Sequence, residues 1–340
     1  MSALPMDTAN MVRLSLPSKG RLGEDSMKFL GDCGLDVDKP NPRQYQARIR
    51  GLPELLVLFQ RPGDIVTSVR DGSVEFGITG LDVLEEKKGS GGQVLTLHDS
   101  LGYGYCSLAL AVPEQWETVH TVADLRQYAL ALGQPLRVAT KYPVLTDRFL
   151  DNAAIPHVLV GAEGTLETIP AIGYADMISD LVSSGQTLRD NRLRPLSDGL
   201  IQPSQAALVG NRAALETNPL ALHIARYLLE FFEAHLRASA NLALFANMRG
   251  ESPEAIANLI FSQKTIGGLQ GPTIAPVIVR EKDGTNWYDV NIVVRKSELF
   301  AAITELRSIG GSGVVVQPVR YIFDEEPPRY SAMLTALGKK

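Results

Sequence analysis

The sequence predicts an α/β protein of two lobes followed by a ferredoxin-like tail. Three observations carry this. Short apolar runs alternate with helical patterns from Val12 to Asn211, which implies largely parallel sheets. A strand-like run at Ala206–Asn211 precedes a long helical pattern over 219–238, so this strand is expected to cross back to the first lobe. Beyond Asn241 the pattern reads β-α-β-β-α-β, the ferredoxin-like order.

Residues 12–16 alternate and predict a strand. Pro17-Ser-Lys-Gly-Arg21 is a turn, after which Leu22, Phe29, Leu30 and Cys33 recur at helical spacing as far as Gly34. Residues 55–59 predict a buried strand, and Asp64 is expected to cap a helix over 65–70. Residues 74–78 form the next strand, followed by Thr79-Gly-Leu-Asp82 and a short helix. The charged, glycine-rich segment 85–93 reads as a mobile surface loop.

The second lobe begins near Tyr105. Strands over 107–112, 136–140, 158–160 and 177–182 interleave with helices over 122–132 and 145–153 and a helical turn over 167–175. In the tail, residues 241–249, 273–280, 287–295 and 313–321 predict strands, with a turn at Lys282-Asp-Gly-Thr285. Ser252 and Pro253 start a helix that runs to about Ser262. Leu299, Ile303 and Leu306 mark one face of a helix over 297–309. The domain bounds are therefore 11–104 with 206–238 for lobe I, 105–205 for lobe II and 241–323 for the tail.

The 340 residues allow ample core for two or three domains. A net charge of −5 argues against a nucleic-acid or anionic-membrane partner, though a local basic pocket remains compatible with it. Cys33 and Cys106 make no disulfide framework or zinc spacing, so a reducing cytoplasm is expected. Residues 1–10 are polar with no apolar core of a secretory signal. No apolar run reaches the roughly 18 residues of a membrane span. The five histidines are scattered without ligand or triad spacing and read as structural or exposed.

Asp176-Met-Ile-Ser-Asp180-Leu-Val-Ser183-Ser184-Gly185-Gln186-Thr187-Leu188 carries the most chemistry. A strand ending at Val182 would hand over to hydroxyls and backbone N–H groups, which suits a phosphate. The acids could hold sugar hydroxyls or a metal, and the bland alternative is a capped turn. Lys19-Gly20-Arg21 follows the first strand and offers fixed positive charge to a pyrophosphate; a solvated basic turn is its alternative. Gly77-Ile-Thr-Gly80-Leu-Asp82 places two glycines at a strand end, where a flat ligand could approach or a plain tight turn could form. Thr140 and Lys141 end another strand, where α/β sites gather.

These motifs, in this order, resemble the ATP phosphoribosyltransferases. The matching stretches are Leu16-Pro-Ser-Lys-Gly-Arg-Leu22, Gly77 to Asp82, Ala139-Thr-Lys-Tyr-Pro143, Gly164-Thr-Leu-Glu-Thr-Ile-Pro170 and the Asp176–Leu188 segment. Gly268-Leu-Gln-Gly-Pro-Thr-Ile-Ala-Pro276 and Gly313-Val-Val-Val-Gln-Pro318 are similar to the regulatory domain of the family's long form. The resemblance implies a periplasmic-binding-protein-like catalytic core with an ACT-like regulatory tail. It implies attack of the adenine N1 of ATP on phosphoribosyl pyrophosphate, dependent on magnesium held through the pyrophosphate. It also implies inhibition by histidine, AMP as a second inhibitor, and a dimer or hexamer.

Carried over residue by residue, the resemblance assigns Ser183, Ser184, Gly185, Gln186, Thr187 and Leu188 to the 5-phosphate, and Asp180, Asp176 and Glu167 to the ribose hydroxyls. Lys19, Arg21 and Asp180 are the expected catalytic groups. Arg21, Gly80 and Asp82 fall to ATP, and Leu269 and Thr273 to histidine. Ser18 lengthens the usual Leu-Pro-Lys-Gly-Arg turn, Ser184 replaces a customary Thr, and the chain beyond Phe323 lies outside the resemblance. Two readings compete with the enzyme: a two-lobed solute-binding module and a regulatory subunit that has lost catalysis.

Overall fold

The computed structural model describes residues 11–41, 43–162, 164–278 and 286–339, and the chain divides into two units. One is formed by the chain up to Leu229 together with the segment from Pro328; the other is Glu230–Pro327.

In the first unit, β1 (Val12–Pro17) lies inside a sheet, which is why Val12, Leu14 and Leu16 are all fully buried. It leads to α1 (Gly20–Asp32), β2 (Val37–Asp38), β3 (Gln46–Ile49), β4 (Leu52–Gln60), α2 (Pro62–Arg70), β5 (Phe76–Gly80), α3 (Leu81–Lys87) and β6 (Val94–His98). Two expectations change here. Helix α2 starts at Pro62 with Arg61 as its N-cap, so Asp64 is not the cap; it sits in the first turn, where its charge complements the helix dipole. The segment expected to be a loop from Glu85 is helical as far as Lys87.

Past residues 99–105 come β7 (Cys106–Pro113), α4 (Val122–Leu132), β8 (Leu136–Thr140), α5 (Pro143–Asn152), β9 (His157–Gly161), β10 (Met177–Val182), α6 (Gln186–Asp190) and β11 (Leu193–Ser204). A capping box starts α4: the Thr121 hydroxyl accepts from the Asp124 N–H at 3.1 Å, and the Asp124 carboxylate accepts from the Thr121 N–H at 2.9 Å. The helical turn expected over 167–175 is a run of turns instead. Only Gln205 separates β11 from β12 (Ala206–Asn211), which is followed by α7 (Arg212–Thr217) and α8 (Pro219–Ser239).

The strands form two sheets, β2-β3-β4-β1-β5-β12-β6 and β11-β7-β10-β8-β9. In the first, β4, β1 and β5 are parallel and β12 runs against β5. In the second, β10, β8 and β9 are parallel and β7 runs against β10. The chain thus passes between the lobes twice, through residues 99–105 and through Gln205. The first crossing is pinned to α1, where the Tyr103 hydroxyl bonds Ser26 Oγ at 3.0 Å and its ring meets Phe29.

In the second unit, β13 (Asn241–Arg249), α9 (Pro253–Phe261), β14 (Thr273–Pro276), β15 (Trp287–Arg295), α10 (Leu299–Ser308) and β16 (Ser312–Pro318) follow in chain order. The sheet order is β14-β15-β13-β16 with every pair antiparallel, the ferredoxin-like arrangement. Leu244, Met248, Ile256, Ile260, Val290 and Leu306 share its core. Ser252 caps α9 by accepting from the Ala255 N–H at 3.2 Å. The expected turn at 282–285 and the end of the strand expected over 273–280 lie outside the described residues, and β14 ends at Pro276. Strand β16 stops at Pro318, which has no N–H to give to the ladder.

The last helix, α11 (Pro328–Ala336), belongs to the first unit, where Tyr330 and Met333 are buried. Among the described residues no helix is long and apolar enough to cross a membrane.

Candidate active site

The parallel strands β8, β9 and β10 end on one edge of the lobe II sheet, where open α/β sheets place their ligands. Three segments therefore meet there: Lys141 after β8, residues 164–167 after β9 and residues 183–187 after β10. The Lys141 ammonium donates to the Gly164 carbonyl at 2.5 Å. Asp180, in the last turn of pleat of β10, is half-buried, and its carboxylate accepts from the Leu181 N–H at 2.8 Å. Burial pushes its pKa up, and the charge of Glu167 adds to this; the Leu181 N–H and Lys141 oppose. Glu167, Lys141 and Asp180 are thus electrostatic neighbours.

The loop beyond is open to solvent at Ser183, Ser184, Gln186 and Thr187. Gly185 has a φ of +70°, a left-handed conformation that glycine adopts without strain. Arg189 braces the turn from behind, donating to the Ser184 carbonyl at 3.2 Å and to Gln186 Oε1 at 3.1 Å. Leu188 departs from expectation: its side chain is buried among Leu166, Ile169 and Ile178, so only its backbone faces the loop.

Asp176 also departs. It lies at the opposite, amino end of β10, four residues or about 13 Å of strand from Asp180. There it is bound by Arg137, through the guanidinium at 2.7 Å and the backbone N–H at 2.8 Å. A carboxylate engaged in this way at the wrong edge cannot share a ligand with the 183–187 loop.

In lobe I, Lys19 and Arg21 are exposed at the start of α1, at the carboxyl end of β1, with Gly20 at a φ of +73° between them. Arg21 has a loose ion pair with Asp25 at 3.5 Å. The glycines of the 77–82 motif serve the interior. A Cβ on Gly77 would stand 2.4 Å from Ile65 Cγ2, so its role is close packing of α2 on β5. A Cβ on Gly80 would stand 2.2 Å from Asp82 Oδ1, so Gly80 makes room for that carboxylate. Asp82 is only 3% exposed. Its oxygens accept from the Tyr142 hydroxyl at 2.7 Å and the Ser204 hydroxyl at 2.5 Å. Asp82 and Gly80 are therefore not placed to touch a nucleotide.

A cleft of about 380 Å3 opens between the lobes beside this contact, lined by Leu81, Tyr105, Ser107, Val182, Ser183 and Ser204 among others. It reaches the first residue of the 183–187 loop. Tyr105 and Ser107 carry no motif and were invisible to sequence reasoning; Tyr142 lay inside a quoted motif, but nothing in its spacing marked it. Among the described residues no group of three His, Cys, Asp or Glu side chains could hold a metal.

The second unit has its own cavity of about 550 Å3, and both Leu269 and Thr273 line it. Its wall also includes Arg237 and Asp324, which are ion-paired, and Phe323.

A family model described as HisG, ATP phosphoribosyltransferase, matches residues 61–231, and one described as HisG, C-terminal domain, matches 238–321. Among similar proteins, ATP phosphoribosyltransferase 2, chloroplastic, of Arabidopsis thaliana is 43% identical over 334 residues, covering 96% of this chain and 81% of the relative. An ATP phosphoribosyltransferase of Rhodopseudomonas palustris is 31% identical over 330 residues, covering 95% and 98%. A solved chain from the ATP phosphoribosyl transferase (HisG:HisZ) complex of Thermotoga maritima superposes with a TM-score of 0.52 at 24% identity, over 66% of this chain and 99% of that one, which speaks to the fold alone.

Proposed function

The chain belongs to the ATP phosphoribosyltransferase family, and from that premise we propose which of its residues carry the reaction. It joins ATP to phosphoribosyl pyrophosphate in the first step of histidine biosynthesis. The adenine N1 lone pair forms a bond to the anomeric carbon, the bond from that carbon to pyrophosphate breaks, and N1-phosphoribosyl-ATP results.

In our reading lobe II holds the phosphoribosyl group. The loop 183–187 surrounds the 5-phosphate with hydroxyls and N–H groups, each charge-assisted bond being worth about 1.5–3 kcal/mol. Asp180, with Glu167 beside it, accepts from the ribose hydroxyls. Lys19 and Arg21 of lobe I meet pyrophosphate or the phosphates of ATP. Asp176, Leu188, Gly80 and Asp82 leave the list of contacting side chains. The observation that supports this best is the meeting of three loops at one sheet edge, with Asp180 pushed toward its neutral form by burial.

Catalysis then rests on orienting two polyanions and stabilising the leaving group, not on a covalent intermediate. The donor set fits magnesium in one way: no protein cage is present among the described residues, but Asp180 and Glu167 could complete the shell of an ion carried by pyrophosphate. When bound, it would neutralise charge on the departing pyrophosphate. Lys19 and Arg21 would do the same from the protein side.

The tail cavity is our candidate for histidine. Leu269 and Thr273 line it, and Arg237 and Asp324 offer partners for the carboxylate and ammonium of an amino acid.

Incubation with ATP, phosphoribosyl pyrophosphate, magnesium and pyrophosphatase should change the near-ultraviolet absorbance as N1 is alkylated. A folded protein that produces no change would overturn the activity. Leu269→Ala with Thr273→Val should relieve inhibition by histidine while basal turnover persists; unaltered inhibition would remove the cavity from the proposal.

A further inference from the structure

Two acids of α3 reach across to lobe II, and both grip the start of α5. Glu86 accepts from the Val144 and Leu145 N–H groups at 2.9 and 3.0 Å, capping that helix from the other lobe. Asp82 accepts from the Tyr142 hydroxyl at 2.7 Å and from Ser204, the last residue of β11 before the second crossing. Ser204 Oγ in turn accepts from the Asp82 N–H at 3.0 Å. A buried carboxylate is costly without donors, so this contact has one preferred geometry.

Behind it runs a chain of buried hydroxyls. The Tyr142 N–H donates to Thr140 Oγ1 at 2.9 Å, Thr140 meets Thr146 at 3.3 Å, and Thr146 meets Ser179 at 2.8 Å. Ser179 immediately precedes Asp180, and Thr140 immediately precedes Lys141. Both site residues therefore stand one bond beyond the anchored positions of β8 and β10.

The geometry points to Tyr142 as a positioning residue for the phosphoribosyl site: its bond to Asp82 fixes the carboxyl ends of β8 and β10 against lobe I, and so sets where Asp180 and the 183–187 loop stand. This rests on the reading that Asp180 holds the substrate's ribose. Tyr142 is buried, and its role is to act through the strands that carry Asp180. Burial and the nearby Asp82 carboxylate hold the phenol in its protonated, donating form, so the contact persists over the working pH range.

The test compares the full chain with Y142F, D180N and the double variant, reading the Kd of phosphoribosyl pyrophosphate by calorimetry and KM and kcat by absorbance. Tyr142→Phe keeps the ring and removes one hydrogen bond. We expect Kd and KM for phosphoribosyl pyrophosphate to rise on the order of tenfold, with the KM for ATP and kcat within about twofold. The double variant should bind no more weakly than D180N alone, because two residues acting through one contact are not additive. Ser204→Ala, which removes the other donor to Asp82, should reproduce the pattern if Y142F folds poorly. Unchanged Kd in Y142F, or additive losses in the double variant, overturns the positioning role while leaving Asp180 in place. Unchanged Kd in D180N overturns the site reading itself, and this proposal with it.

Discussion

Arg137 holds Asp176 with three donors, two from its guanidinium and one from its own backbone, across the amino ends of β8 and β10. Burial alone would raise the pKa of Asp176, but these hydrogen bonds and the charge of Arg137 carry it below its ordinary value. Such a carboxylate contributes stability above its unfolded pKa of 3.8, and that contribution is lost as pH falls through the lower folded value. Asp176→Asn should therefore lower the melting temperature at neutral pH, with a smaller deficit in acid. The KM for phosphoribosyl pyrophosphate should stay within about twofold of wild type. A large rise in KM at unchanged stability would return Asp176 to the site.

Asp180→Asn should do the reverse. The folded pKa of Asp180 is raised, chiefly by burial, so the folded state binds its proton more tightly than the unfolded chain does. At neutral pH the ionised group subtracts from stability, and that deficit disappears as pH falls through the raised folded value to below the unfolded value of 3.8. The variant should melt higher than wild type near pH 7, with the gain fading in acid. Affinity for phosphoribosyl pyrophosphate should fall on the order of ten- to a hundredfold, as expected for lost hydrogen bonds to a charged group. Differential scanning calorimetry across pH, paired with titration calorimetry, checks both halves.

The pair also shows where sequence reasoning stops. Apolar alternation and helical spacing located β1, β8, β10, β13 and β15, because those segments sit inside sheets and must be apolar. β11 was missed: Pro195, Gly199 and Pro203 break its pattern, and its register against β7 shifts twice. The hydroxyl loop and its preceding acid were legible because Ser, Gly and Thr after a strand have few other uses. Which of two acids four residues apart faces the ligand was not, since an even spacing leaves both on one face of the strand; Asp176 stands at its amino end in the grip of Arg137, and Asp180 toward the carboxyl end. Asp82 misled for a related reason: an acid after a strand looks like a binding group until its buried partners Tyr142 and Ser204, distant in sequence, are placed beside it.

His98 makes the first unit acid-sensitive. The ring is 3% exposed at the end of β6, and its Nδ1 accepts from the Ser100 N–H at 3.2 Å, which requires that nitrogen to be unprotonated. Burial, then the charge of Arg329, depress its pKa from 6.5 to about 4, with Asp99 opposing. Because the folded value lies below the unfolded one, the stability it contributes is complete above pH 6.5 and is lost progressively down to about pH 4. At about 1.4 kcal/mol per unit, the loss is on the order of 3 kcal/mol. His98→Asn, which keeps an acceptor and removes the titration, should flatten urea-unfolding stability between those pH values. A slope as steep as wild type would assign the acid sensitivity to other groups.

The same corner explains the C-terminal helix, which lies beyond the residues matched by the family models. Arg329 of α11 is 2.8 Å from Asp99 and donates to Ser100 Oγ at 3.2 Å, and both partners lie in the first connection between the lobes. Tyr330 is buried and packs under Arg226, Met333 is buried with it, and Arg212 donates to the Ala336 carbonyl at 2.9 Å. Exposing two such apolar side chains costs about 1.5–3 kcal/mol each. Ending the chain before Pro328 should thus destabilise the first unit by roughly 3–6 kcal/mol, measured by urea unfolding. Amide exchange should quicken in residues 94–104, where the helix holds the crossing, more than in β8 and β10. Equal protection of residues 94–104 in the shortened and full chains would mean that α11 adds stability without bracing the connection between the lobes.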